Sequence, residues 1–133
     1  MMTADRVPTG MTATKTILIV DDDPIICEIA SEVLADAGFR VVCVDNGEDA
    51  IDVAWEEAPD AVLLDCSLPG KPGMVVLDQF RKSARFGAIP IAMLTARRSV
   101  WSETISCQKG ANAYIRKPFD PVDLLTEVAR LTR

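Results

Sequence analysis

The side chains of this chain that could do chemistry stand just behind apolar runs: Asp21 and Asp22 after 17–20, Asp65 after 61–64, Thr95 after 89–94, and Lys117 after 113–115. If those ends meet, several carboxylates come within a few ångströms of one another, and their mutual repulsion raises their pKa values. A hard divalent cation removes the conflict. Magnesium suits such a place, since it takes one or two carboxylates, keeps waters and completes its octahedron with phosphate oxygens. Thr95 adds a hydroxyl, and Lys117 adds a compact positive charge for phosphoryl oxygens. Acids for a metal, a carboxylate nucleophile, a hydroxyl and a lysine together make a phosphoryl-transfer site.

One pocket requires elements that bring all these ends to one rim. From Lys15 onward, short apolar runs alternate with helical patterns. The runs at 17–20, 41–44, 61–64 and 89–94 are almost continuously apolar, as strands covered on both faces require. The run at 113–115 mixes Tyr114 and Arg116 with Ile115 and is placed at a sheet edge, and Pro90 is tolerable near a strand start. Pro24 suits a first helical turn behind acidic capping candidates; Ile26, Ile29, Ala30, Val33, Leu34 and Ala37 then form a stripe that Gly38 closes. A second helix is predicted over 47–58 with Ala50, Ile51 and Ala54 inward, and a third over 73–84 with Val76, Leu77 and Phe80 inward. A last helix starts at Asp120 and Pro121 and buries Val122, Leu125, Val128 and Ala129. The stretch 99–109 has only Val100, Trp101 and Ile105 as anchors, which predicts a loosely held fourth helix, open to repositioning. Five strands alternating with five helices predict an α/β fold, a doubly wound parallel sheet whose functional loops gather outside the carboxyl ends of the strands.

Bulk properties narrow the function classes. A length of 133 residues with 49% hydrophobic content fits a single domain: a flexible tail over 1–14 and a folded unit over 15–133. Twenty acidic against fourteen basic residues give a net charge of -6, which disfavours nonspecific binding to nucleic acid or anionic membrane. No apolar run approaches the roughly 20 residues that span a bilayer, and the polar N-terminus lacks a secretory pattern, so the expected compartment is the cytoplasm. Cys27, Cys43, Cys66 and Cys107 show no paired spacing, and with no histidine a zinc site would need all four thiolates from separate elements; buried reduced thiols are the plainer expectation. The lack of histidine also excludes Ser-His and Cys-His catalytic pairs.

Each fragment taken singly has an ordinary explanation. Acidic triplets cap helices, an aspartate ends many strands, and Lys-Pro makes surface turns. Their joint occurrence, each at the end of a different strand pattern, is what argues for a site. In ILIVDDDP, DNGEDAI, AVLLDCSLPGKPG, PIAMLTAR and GANAYIRKPF, in this order and spacing, the chain resembles the receiver domains of two-component response regulators over about 15–133. The resemblance implies a flavodoxin-like fold with Asp65 as phosphoacceptor. It further implies that Asp22 ligates magnesium directly, Asp21 mainly through water, and the Ser67 carbonyl completes the protein ligands. Lys117 would bridge to the phosphoryl group, with a cis bond to Pro118. Thr95, followed by Ala96, would swing toward the phosphoryl oxygen as Tyr114 turns inward, and Asp23 is read as a cap. Implied partners are a sensor histidine kinase or histidine phosphotransfer protein, which must supply the phosphohistidine, and a downstream protein target.

Some positions depart from the family's commonest pattern. Ser67 and Arg97 stand where phosphoryl lifetime is tuned, Lys71 and Pro72 replace the usual acidic residue before Gly73, and Asn112 and Ala113 stand where many DNA-binding members carry two acids. Gly70 and Lys71 lack the GxxxxGK[ST] frame of a P-loop. An alternative is a small haloacid-dehalogenase-like phosphatase with Asp21 as nucleophile and Asp23 as general acid. That class needs a further acidic pair after the lysine, and Asp120 and Asp123 fall in a helix pattern. A receiver-fold binding module without phosphorylation is a third reading. The chain reads as ending with its fifth helix, as a stand-alone regulator or a segment of a longer protein would.

Overall fold

The computed structural model describes residues 14–96 and 110–133. The apolar runs become strands β1 (Thr16–Val20), β2 (Arg40–Val44), β3 (Ala61–Asp65), β4 (Ile91–Ala96) and β5 (Ala113–Lys117), all parallel in one sheet of order β2-β1-β3-β4-β5. β1 and β3 are buried at every position, which explains the lack of polar alternation in their sequences. Strand order reverses between β1 and β3, and the crevice at such a reversal is where ligands bind in doubly wound sheets.

Four helices lie among the described residues: α1 (Pro24–Asp36), α2 (Ala50–Glu57), α3 (Gly73–Lys82) and α4 (Pro121–Leu131). The helix predicted over 99–109, with Trp101, and almost all of the tail predicted over 1–14 lie outside them. Successive β1 side chains divide the core. Leu18 and Val20 pack with Ala50, Ala54, Val76, Leu77 and Phe80 beneath α2 and α3, whereas Ile17 and Ile19 pack with Ala30, Leu34, Leu124 and Val128 beneath α1 and α4. This is the two-residue period of a strand expressed as two layers.

Several expected faces are corrected. The 41–44 run is covered only in part: β2 pairs only with β1, and both Arg40 and Cys43 on it are exposed. Val41 reaches the layer beneath α1 and Val42 and Val44 the layer beneath α2, but with a single neighbour in the sheet the strand leaves part of its length open to solvent. Ile29 and Ala37 of the predicted stripe are exposed, and Ala30 and Leu34 hold α1 down. In the last helix Val122 and Ala129 face solvent, while Leu124, absent from the expected stripe, is fully buried four residues before Val128. β4 begins after Pro90, whose carbonyl accepts the Val62 N–H at 2.9 Å although the proline has no N–H of its own to give the ladder.

A clamp on the far side of α3 positions β5. Arg81 donates from Nε to the Gly110 carbonyl at 2.8 Å and from NH2 to Asn112 Oδ1 at 2.9 Å, and the same Oδ1 accepts the Ile91 N–H at 2.8 Å. Burial pulls the Arg81 pKa down from its ordinary value. The Asn112 carboxamide is thereby committed inside its own chain.

Candidate functional site

The three consecutive aspartates after β1 have three different fates. The Asp21 N–H extends the ladder by bonding the Val44 carbonyl at 3.0 Å, and this turns its side chain into the interior, where the residue is 1% exposed. Asp21 Oδ1 accepts the Asp23 N–H at 2.9 Å. Asp22 is exposed on the rim. Asp23 caps α1, its Oδ1 accepting the Ile25 N–H at 2.9 Å, with Pro24 at the first helical position. This is the capping role expected of it, and a carboxylate so engaged is poorly placed as the general acid of a phosphatase. Asp120 caps α4 in the same way through Val122, so the acids near the lysine also serve helix structure.

Asp65 ends β3 and is 4% exposed. Carboxylate oxygens of Asp21, Asp22 and Asp65 lie within 4.8 Å of one another. Lys117, at the end of β5, brings its Nζ 2.7 Å from Asp21 Oδ2 and 3.4 Å from Asp65 Oδ1. Three carboxylates against one ammonium leave two negative charges in excess, the charge a divalent cation carries. Asp21 Oδ2 is buried and receives no hydrogen bond of good geometry, even though it pairs with Lys117 as an ion. A buried oxygen in that condition has a lone pair open to a further positive group. The donor set of hard oxygens with one exposed carboxylate fits magnesium.

Electrostatics separate the groups. Burial, aided by the charge of Asp21, raises the Asp65 pKa above the usual carboxylate value, against the opposing pull of the Ser67 N–H and Lys117. Burial draws the Lys117 ammonium down, but contact with Asp21 and the charges of Asp21 and Asp65 outweigh it and hold the group above its ordinary value. Cys66, buried beside Asp65, is pushed up to about 11 by burial and then by the Asp65 charge. Burial, followed by the neighbouring Cys43 thiol, pushes Cys27 up to about 12.

The remaining expected residues lie on β4, on β5 and in the segments that follow β3 and β5. The Ser67 N–H donates to Asp65 Oδ1 at 3.1 Å while the residue itself is exposed. Thr95 lies on β4 one residue beyond Leu94, the partner of Asp65, and its hydroxyl donates to the Ala96 carbonyl at 3.2 Å. Ala96 and Pro118 are exposed at the rim, and the Lys117–Pro118 peptide bond is cis. Tyr114 is half-buried against the core on the α2 and α3 side. The Lys71 ammonium donates to Gln79 Oε1 at 3.3 Å, which ties the loop after β3 to α3.

One residue of consequence was visible in the sequence only as a helix start. The N–H of Gly73 donates to the Cys66 carbonyl at 3.2 Å, and a Cβ on Gly73 would stand 2.1 Å from the Asp65 carbonyl oxygen and 2.9 Å from Cys66 Cα. Glycine at the first turn of a helix, where propensity disfavours it, was the available signal. Gly73→Ala therefore forces the backbone under Asp65 to move. We expect a loss near the upper end of the roughly 1–3 kcal/mol that overpacking costs, measured by urea unfolding. Unchanged stability would show that α3 slides away freely.

The fold is shared with known proteins. The family model described as the response regulator receiver domain matches residues 17–129. The fold matches a protein of Chloroflexus aurantiacus described as a response regulator at 34% identity and TM-score 0.85, over 90% of this chain and 98% of that one. It matches a chemotaxis response regulator of Vibrio cholerae at 28% identity and TM-score 0.83, over 90% and 99%. It also matches the receiver domain of a sensor histidine kinase from Pseudomonas aeruginosa at 31% identity and TM-score 0.81, over 90% and 98%, a structure with magnesium coordinated in its active-site cleft. The doubly wound sheet with an acidic pocket at its switch point is thus a two-component signalling module, not a conventional enzyme. The chain belongs to the response regulator receiver domain family.

Proposed function

We propose that residues 15–133 form a receiver domain that accepts a phosphoryl group on Asp65, and that 1–14 is its tail. The donor is the phosphohistidine of a sensor histidine kinase or histidine phosphotransfer protein, and the readers are downstream protein targets. The observation that carries the proposal is the meeting of Asp21, Asp22 and Asp65 with Lys117 at one rim, although they arrive from three strands.

In this reading an Asp65 carboxylate oxygen attacks phosphorus in line, the nitrogen–phosphorus bond of the donor breaks, and an acyl phosphate forms. Asp22, Asp65 and the Ser67 carbonyl, with Asp21 mainly through water, would hold magnesium. When bound, it supplies charge neutralisation for the phosphoryl oxygens. Lys117 leaves part of its contact with Asp65 to meet the phosphoryl group. Thr95 turns its hydroxyl from the Ala96 carbonyl to a phosphoryl oxygen and Tyr114 moves inward, so the face that includes β5 and α4 changes its population of states. Ile25 and Ile29, exposed on α1 beside the rim, give the donor an apolar contact. The chain then does no chemistry beyond its own phosphorylation and dephosphorylation, and it works in the cytoplasm. Among the described residues no helix is long and apolar enough to cross a membrane.

Treating the intact chain with acetyl phosphate and magnesium and mapping the acid-labile label tests the proposal: label on Asp65 is expected, and label on Asp21 means a phosphatase. Without any donor, millimolar magnesium should shift the backbone amide resonances of 21–23 and 65–67. Because Asp65 titrates above the usual carboxylate range, protons compete with the metal there. Binding should weaken as pH falls through that raised value, earlier in an acid titration than an ordinary aspartate would dictate. An unchanged spectrum across the magnesium titration counts against the metal site.

A further inference from the structure

Beside the acidic rim, and outside the phosphoryl-transfer chemistry, two cysteines from different elements meet. Cys27 on α1 is half-buried, and Cys43 on the edge strand β2 is exposed. Cys27 and Ser31 stand one helical turn apart on α1: Ser31 Oγ lies 3.3 Å from Cys43 Sγ, and the Cys27 thiol is close enough to Cys43 for the two to interact electrostatically. Both cysteines line a hollow of about 770 Å³ that also reaches Asp21, Asp22 and Val53, so a small reagent has access to the pair. The Cys27 thiol contacts the Asp21 carbonyl at 3.5 Å, which links the pair to the first residue of the acidic rim.

We infer that Cys27 and Cys43 are a reversible dithiol–disulfide pair, a modification site for low-molecular-weight disulfides that pins α1 to β2. The Cys43 thiolate, exposed at the strand edge, attacks one sulfur of the soluble disulfide. The sulfur–sulfur bond of the reagent breaks, and one thiol molecule leaves with the proton that Cys43 gave up. The Cys27 thiol, which burial keeps protonated at neutral pH, loses its proton as it attacks the Cys43 sulfur of the mixed disulfide, and the second thiol molecule leaves with that proton, so ring closure is the slow step. Two protein thiols are oxidised and one soluble disulfide is reduced to two thiols, so atoms and electrons balance. Closing the bond removes the thiol hydrogen next to the Asp21 carbonyl and ties the helix capped by Asp23 to the sheet edge.

The test is oxidation of the native, full-length chain with oxidised glutathione, followed by intact mass measurement and peptide mapping. Trypsin alone leaves Cys43 and Cys66 on one peptide, so cleavage after glutamate at Glu48, Glu56 and Glu57 is needed to separate them. The expected main product is a monomer lighter by two hydrogens, with 27 linked to 43. It should be absent in Cys43→Ser and retained in a variant carrying Cys66→Ser and Cys107→Ser together. A stable mixed disulfide at Cys43 that never closes, a link through Cys66 or Cys107, or a chain-to-chain link as the main product overturns the inference. Neither outcome depends on phosphoryl transfer.

Discussion

Asp65→Asn should take no label from acetyl phosphate with magnesium, while the chain stays folded and its metal-free form becomes more stable at neutral pH. Loss of labelling follows from chemistry: an amide oxygen offers no carboxylate nucleophile, and the acyl phosphate has no other described carboxylate with Lys117 at 3.4 Å and the Ser67 N–H at 3.1 Å. The stability gain follows from the direction in which burial moves Asp65. A carboxyl whose pKa is higher folded than unfolded favours the folded state below its unfolded pKa, and that advantage is lost as pH rises through the folded value. At neutral pH the parent carries this penalty and the amide does not. Below the unfolded pKa the two chains should converge. Urea melts of both proteins across that range read the gap. Comparable labelling of the variant rejects the assignment of the phosphoacceptor, whereas a variant that is unfolded at neutral pH contradicts the electrostatic account.

Lys117→Ala should be the most damaging single change in the rim that leaves all three carboxylates in place. The ammonium is the cation facing Asp21 Oδ2 and Asp65 Oδ1 among the described residues, and its raised pKa marks a net favourable interaction in the folded state. Removing one partner of a buried pair costs about 3–5 kcal/mol; with part of the Lys117 side chain open to water, about 3 kcal/mol is expected in metal-free buffer. Magnesium should recover much of this loss by binding the folded state alone, because it supplies the missing positive charge. Function should not recover with it. Losing one positive group aimed at developing charge lowers the rate by about a hundredfold or more, so phosphotransfer and binding of an activated-state partner should stay depressed at saturating magnesium. Measuring stability and phosphotransfer side by side, with and without the metal, separates the two roles. If magnesium restores both together, Lys117 only holds the fold.

These two outcomes depend on features of very different visibility. The strand ends were legible because β1, β3, β4 and β5 announce themselves as short apolar runs followed by polar residues, a pattern local in the chain. The parallel, doubly wound layout followed from the alternation of such runs with helical stripes, and it carried Asp21, Asp65, Thr95 and Lys117 to one rim. The Asp23 cap and Pro24 at the first turn were equally local.

What local pattern could not carry was the identity of each neighbour. The 41–44 run is nearly as apolar as 61–64, yet only sheet order makes one an edge and the other central. Val122 and Leu124 are alike in hydrophobicity but stand about 200° apart around α4, so only one of them can face the sheet, and packing turns Leu124 inward and leaves Val122 exposed. Nothing in the spacing of Cys27 and Cys43 places one thiol beside the other, and nothing around Gly73 reveals that its missing side chain makes room for the Asp65 carbonyl. Chemical types and periodicities are written residue by residue, so the amino-acid order declared the fold class and the reactive set. Contacts between remote segments depend on register and packing angle, and these are settled only when all the elements close on one another.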